Sequence, residues 1–138
     1  MVDDYLLRAN GLARGCGFHS VSETQIDVRS AKTRREETEH IVRGLNPADK
    51  LIILDERGKA QTSTGIAQQL SEWRDERISE TVFAIGAADG FDPAALPPNA
   101  ILWSFGKTVW PHKLVRVMIS EQVYRALSIL AGSPYHRP

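Results

Sequence analysis

The sequence predicts an α/β fold built on a parallel sheet. Two compact apolar runs, Leu51 to Leu54 and Thr81 to Ile85, read as buried strands. Between them Ile66, Leu70 and Trp73 recur at i, i+4 and i+7, the spacing of one helix face. Strand, helix and strand at this separation imply a parallel βαβ unit. A third apolar run, Ala100 to Trp103, and a long amphipathic pattern from Leu114 to Leu130 extend the alternation.

In chain order, Asp4 to Leu12 reads as a helix that Gly11, Gly15 and Gly17 bring to an end. Gln25 to Val28 alternates as a short strand does. Ser30 to Glu39 is a mixed charge run, expected as a solvated loop or helix face. Asn46-Pro47 marks a turn. The charged stretch Asp55 to Lys59 is expected to stop the first strand as a polar loop. Thr62 or Ser63 caps the following helix. Asp92-Pro93 opens a short helix or turn that Pro97-Pro98-Asn99 ends. In the last helix Leu114, Val117, Met118, Val123, Ala126, Leu127 and Leu130 cover one broad face, and Gly132 and Pro134 stop it.

The 138 residues carry 17 basic and 17 acidic side chains, a formal net charge of zero, so any surface for a polyanion must be local. The length suits a single domain, taken as residues 1–138, with a core of its own. Cys16 stands alone, which excludes an intrachain disulfide and fits a reducing cytoplasm. His19, His40, His112 and His136 are too scattered for ligand spacing, so no metal is expected. The opening Met-Val-Asp-Asp has neither the basic nor the apolar part of a signal peptide. No apolar run approaches the roughly 20 residues that span a bilayer, so no membrane is expected as a partner.

Local charge is concentrated in the last quarter. From Phe105 to Pro138, five Lys and Arg (Lys107, Lys113, Arg116, Arg125, Arg137) face one acid, Glu121, a net of +4. A positive segment ending in Tyr135-His136-Arg137 suits a polyanion and adds side chains able to take part in chemistry. Arg116 and Arg125 fall on the polar side of the last helix, where they would serve phosphate or carboxylate. Glu121 and Arg125, at i and i+4, also make a ready helix ion pair. His112 lies in the loop before that helix.

Ligands of open parallel sheets bind beyond the carboxyl ends of the strands. Residues 55–59, 86–91 and 104–112 occupy that position here, and a ligand held by all three would be of cofactor size. Gly86 to Gly90 is not G-x-G-x-x-G and has no acidic residue placed for a ribose, so it reads more simply as a tight turn.

Leu54-Asp-Glu-Arg-Gly-Lys, Ile85-Gly-Ala-Ala-Asp-Gly, Trp110-Pro-His-Lys-Leu-Val-Arg, Glu121-Gln-Val-Tyr-Arg-Ala and the ending Pro-Tyr-His-Arg follow one another in one order and spacing. In this the chain resembles the RlmH family of SPOUT methyltransferases, over about residues 20–138 and most strongly from 51 onward. The resemblance implies a parallel-sheet fold whose C-terminal part threads a loop into a trefoil knot, an exception to un-knotted topology. It implies a homodimer that binds S-adenosylmethionine in the knot and methylates N3 of a pseudouridine in 23S ribosomal RNA of the assembled ribosome. Carried over residue by residue, the cofactor contacts fall at Leu54, Gly86, Gly106, Lys107, Thr108, Val109, Trp110 and Pro111. His112 and Arg116 would meet RNA, while Glu121, Arg125, Tyr135, His136 and Arg137 would serve catalysis, the tail of one subunit completing its partner's site.

Two departures accompany the resemblance. Many members have Gly-Gly at the turn where this chain has Gly86-Ala87-Ala88, whose methyl groups narrow the space for a cofactor. Members also begin with a strand and loop ahead of the segment resembling Asp3 to Arg8. The expectation is an upstream start codon, which the intact mass of the native protein would test. The competing functions are a non-catalytic ribosome- or RNA-binding SPOUT domain, a transfer-RNA methyltransferase, and a flavodoxin-like small-molecule enzyme. The last leaves the basic Tyr-His-Arg tail unexplained.

Overall fold

The computed structural model describes residues 1–87 and 89–138. Their contacts divide the chain into two compact units. One comprises Met1–Glu23, Gln61–Ile78 and Lys113–Pro138, the other Thr24–Ala60 and Ser79–His112.

The second unit holds the sheet. Its strands β1 (Lys50–Ala60), β2 (Thr81–Ala84) and β3 (Ile101–Ser104) are all parallel, in the order β2-β1-β3. The central position of β1 explains its apolar start: Ile52 and Ile53 are fully buried, as a strand covered on both faces requires. Leu51, Ile53, Ala84 and Phe91 form the core, with Val82, Leu102 and, from the end of α2 (Arg34–Val42), Ile41 and Val42 packed around them. Burying Phe91 alone contributes roughly 1.5–3 kcal/mol. Helix α2 starts at Thr33, whose side chain accepts from the Glu36 N–H, while the Glu36 carboxylate accepts from the Lys32 N–H at 2.8 Å.

The first unit is helical. It contains α1 (Val2–Ala13), α3 (Ser63–Asp75) and nearly all of α4 (His112–Leu130). Small side chains let α1 and α4 approach, so that Ala9, Ala13, Cys16 and Leu127 share one buried cluster with Phe18, Val123 and Tyr124 beside it. The Cys16 thiol donates to the Leu127 carbonyl at 3.4 Å, and burial pushes its pKa up. Thr62 caps α3 by accepting from the Gly65 N–H, and Ile66, Ala67, Leu70 and Trp73 are its buried positions, as the spacing predicts. Gly132, at φ +72°, ends α4 as expected, and the Ser133 N–H closes back on the Ser128 carbonyl.

Three expectations are corrected. Gln25 to Val28 forms no strand; instead Asp27 accepts from the Arg29 N–H and guanidinium, folding the chain on itself in a local turn. Asp55 to Lys59 does not stop β1, which runs on to Ala60 through a bulge: Leu54 and Lys59 both pair with Trp103. Leu114 is not on the buried face of α4; it is 42% exposed, and burial falls on Ile119, Ser120, Ala126, Leu127 and Ser128. The two serines are tolerated inside because each donates to a carbonyl of the preceding turn. Among the described residues no helix is long and apolar enough to cross a membrane.

Candidate active site

The strand register brings the predicted cofactor residues to one edge of the sheet. Ile53 pairs with Ala84 and Leu54 with Trp103, so Leu54, where the β1 bulge begins, stands level with the carboxyl ends of β2 and β3, from which the turn after β2 and the loop after β3 leave the sheet. Each of these stretches is held by a different local device.

At the bulge, the Asp55 side chain is only 7% exposed and accepts from the Arg57 N–H, Nε and Nη2, each at 2.8 Å. These contacts hold the Asp55 carboxylate below its usual pKa. Gly58 is required by close approach: a Cβ there would lie 2.5 Å from the Leu102 carbonyl carbon and 2.6 Å from the Trp103 nitrogen. After β2, a Cβ at Gly86 would come within 3.1 Å of both the Gly90 backbone and the ring of Phe91. Phe91 is the core anchor of that turn, at 1% exposure, and the Asp92 N–H donates to the buried Thr38 hydroxyl at 2.9 Å. Ala88, the third residue of the expected narrowing at Gly86-Ala87-Ala88, lies outside the described residues. After β3, the buried Ser104 hydroxyl accepts from the Gly106 N–H at 2.9 Å and donates to the Gly106 carbonyl. Gly106 sits at φ +109°, a conformation that favours glycine.

Beyond that clamp, Lys107, Thr108, Val109, Trp110 and Pro111 are exposed, Val109 at 78% and Trp110 at 41%. The Trp110 indole N–H reaches the Phe105 carbonyl at 3.4 Å. A Cβ on Gly106 would meet nothing within 4 Å, so that side of the loop is open. An open glycine and exposed apolar side chains suit a nucleoside-type cofactor.

The predicted catalytic residues meet on α4 and the tail. The Glu121 Oε1 accepts from Arg125 Nε at 2.8 Å and from the Tyr135 hydroxyl at 3.1 Å. Arg125 Nη1 lies 3.1 Å from Nδ1 of His136, and its guanidinium stands 4.8 Å over the Tyr135 ring. Tyr135 also packs on Tyr124, ring centroids 4.5 Å apart. The Glu121–Arg125 pair is therefore no solvated surface bridge; the two side chains are 18% and 24% exposed. Burial, then the Glu121 carboxylate, pushes the Tyr135 phenol up to about 12.

Other predicted residues stand apart from this cluster. Arg137 is exposed at the end of the tail, and His112 is the exposed first residue of α4. Arg116 is engaged by Glu23, with Nε at 2.5 Å and Nη2 at 2.7 Å from its two oxygens, which lowers the Glu23 pKa. Sequence reasoning missed Gly58, Ser104, Glu23 and Gln122. Of these only Gly58 carried a signal, a lone glycine in the charged stretch directly after a strand. The others depend on partners up to 93 residues away or on one loop's geometry.

The family model described as predicted SPOUT methyltransferase matches residues 1–136. A protein of Maricaulis maris (strain MCS10) named ribosomal RNA large subunit methyltransferase H is 50% identical over 137 residues, covering 99% of this chain and 88% of that one. Its namesake in Jannaschia sp. (strain CCS1) is 42% identical over 137 residues, 99% of each chain. That of Rhodopseudomonas palustris (strain HaA2) is 43% identical over 143 residues, 99% of this chain and 88% of the relative.

Proposed function

The chain belongs to the SPOUT methyltransferase family, and from that premise we propose that it methylates N3 of a pseudouridine in 23S ribosomal RNA of the assembled ribosome, with S-adenosylmethionine as methyl donor. The observation that carries the reading is the Glu121–Arg125–Tyr135–His136 cluster, which joins the basic tail to α4. The curated relatives' name supports a ribosomal substrate over a transfer RNA and a catalyst over a passive binder.

When bound, S-adenosylmethionine supplies a methyl group on a sulfonium, an electrophile that needs little further activation. Leu54, Gly86 and the 106–111 loop would hold it, the exposed Trp110 and Val109 offering apolar contact. The protein's remaining tasks are to align the nucleobase and to stabilise it without its N3 proton. Tyr135 is a poor base for this, because its phenol is held protonated and already donates to Glu121. Arg125 and His136 are donors suited to the negative charge that spreads over the carbonyl oxygens beside N3. Arg137, His112 and Arg116 would bind the surrounding phosphates.

The reading extends to a homodimer in which the tail of one subunit completes its partner's site, a C-terminal trefoil knot, residues 1–138 acting as one domain, and work in the cytoplasm. Its test is transfer of labelled methyl from S-adenosylmethionine to ribosomes from a strain lacking this modification. Label at a pseudouridine N3 of large-subunit RNA is the expected result. Label only in transfer RNA, or donor binding without transfer, would overturn it.

A further inference from the structure

We propose that a polar relay running Ser63–Gln122–Glu121–Arg125 fixes His136 as its Nε2–H tautomer, which makes His136 a hydrogen-bond donor and Ser63 and Gln122 positioning residues. The donor role rests on the proposed methyl transfer; the tautomer does not.

The argument starts from what a guanidinium can do. Arginine has five N–H donors and no acceptor. With Arg125 Nη1 at 3.1 Å from Nδ1 of His136, the ring nitrogen must be the acceptor. A neutral imidazole that accepts at Nδ1 carries its proton on Nε2. Such a ring has no free lone pair with which to take the N3 proton. It has instead one N–H to offer a carbonyl oxygen of the deprotonated base. The N3 proton then leaves to solvent hydroxide, giving water.

The relay explains why Arg125 holds that orientation. Its Nε and Nη2 lie 2.8 and 2.7 Å from Oε1 of Glu121, which also accepts from Tyr135. The other carboxylate oxygen, Oε2, accepts from the Gln122 amide Nε2 at 2.9 Å. The Gln122 Oε1 in turn accepts from the Ser63 hydroxyl at 2.7 Å. A flipped Gln122 would set its carbonyl oxygen against a carboxylate, so the chain of bonds runs in one sense only. Ser63 opens α3 directly after the Thr62 cap, so a helix terminus anchors the far end of the relay. With both Glu121 oxygens occupied, its carboxylate has little freedom to turn, and Arg125 follows it.

The test begins with two-bond nitrogen–proton correlation spectra of the full chain labelled at its four histidines, free of donor and RNA. His136 is assigned by the signal lost in His136→Gln. Nδ1 bare and Nε2 protonated is expected; a proton on Nδ1 overturns the relay, whatever the enzyme methylates. Gln122→Leu and Ser63→Ala should each mix the tautomers and lower kcat about tenfold, leaving KM for ribosomes, donor affinity and thermal stability near wild type. Unchanged tautomer and kcat in both variants would overturn the positioning role. His136→Gln keeps an N–H donor but no basic nitrogen, and should retain at least ten times the kcat of His136→Ala. Equal loss in the two would overturn the donor role. A wild-type chain with the expected tautomer that labels no ribosomes would defeat the proposed function and the donor role, while the tautomer assignment stands.

Discussion

The loops at the sheet's carboxyl edge and the α4–tail cluster are built from different materials. Around the sheet, shape comes from backbone: the close approach at Gly58, the packed turn at Gly86, the positive φ at Gly106 and the Ser104 hydroxyl that closes on it. On α4 and the tail, shape comes from long side chains, with Glu121 gathering Arg125, Tyr135 and Gln122 on its two oxygens. The difference separates two kinds of sensitivity. Adding a methyl group at Gly58 or Gly86 pushes on packed neighbours, whereas truncating a side chain in the second region removes chemistry and leaves the scaffold standing.

The sharpest way to break that contrast is Gly58→Ala. Its Cβ would enter the β3 backbone, so a loss of roughly 3 kcal/mol or more in urea unfolding is expected. Wild-type stability would mean that the bulge gives way easily and the backbone account is wrong. Next in size is His136→Ala, expected to lower kcat about 100-fold with donor affinity nearly unchanged, as loss of one donor to a developing anion does. A large drop in donor affinity, measured by calorimetry, would move the tail into the cofactor site. Gly86→Val should weaken donor binding about tenfold or more, because its side chain must push on Phe91 and the Gly90 backbone. Normal affinity would remove the turn from the site.

A smaller effect is expected at Glu23. Its carboxylate occupies the Arg116 fork that a phosphate would use. Glu23→Gln should raise affinity for ribosomal RNA about threefold and steepen the salt dependence by about one charge. Weaker binding would show instead that Glu23 holds Arg116 in the position RNA requires.

The smallest effect is on pH-dependent stability. The depressed pKa of Asp55 contributes stability above its ordinary value of 3.8, and that contribution fades as pH falls through the lowered value. Asp55→Asn should flatten this acid limb of the unfolding midpoint. Tyr135 has the opposite sign: its contribution is present below its ordinary value of 10.0 and is lost as pH rises through about 12. Tyr135→Phe should therefore leave the acid limb unaltered.

Much of this was legible in the chain. Periodicity located β1, α3, β2 and α4, because burial of an apolar face leaves a repeat that follows the geometry of each element. The parallel sheet followed from element order. The resemblance gathered Glu121, Arg125, Tyr135 and His136 into one expected site, and side-chain geometry joins them. Where local pattern misled, a specific competitor prevailed. Asp27 preferred its neighbour Arg29 to a strand, and the charges of Asp55 to Lys59 were absorbed by a bulge whose glycine lies against β3.

By itself, then, the sequence determined most of the elements and their parallel arrangement, while the resemblance supplied the residues expected at the site. These follow from interactions between residues near in the chain and from burial of whole faces. Tertiary structure alone decided which partners meet: that Glu23 holds Arg116, that Ser63 reaches Gln122 across 59 positions, and that Arg125 presents a donor to His136. Such contacts span a few ångströms between residues distant in sequence, and they form only after the backbone has fixed where each side chain begins.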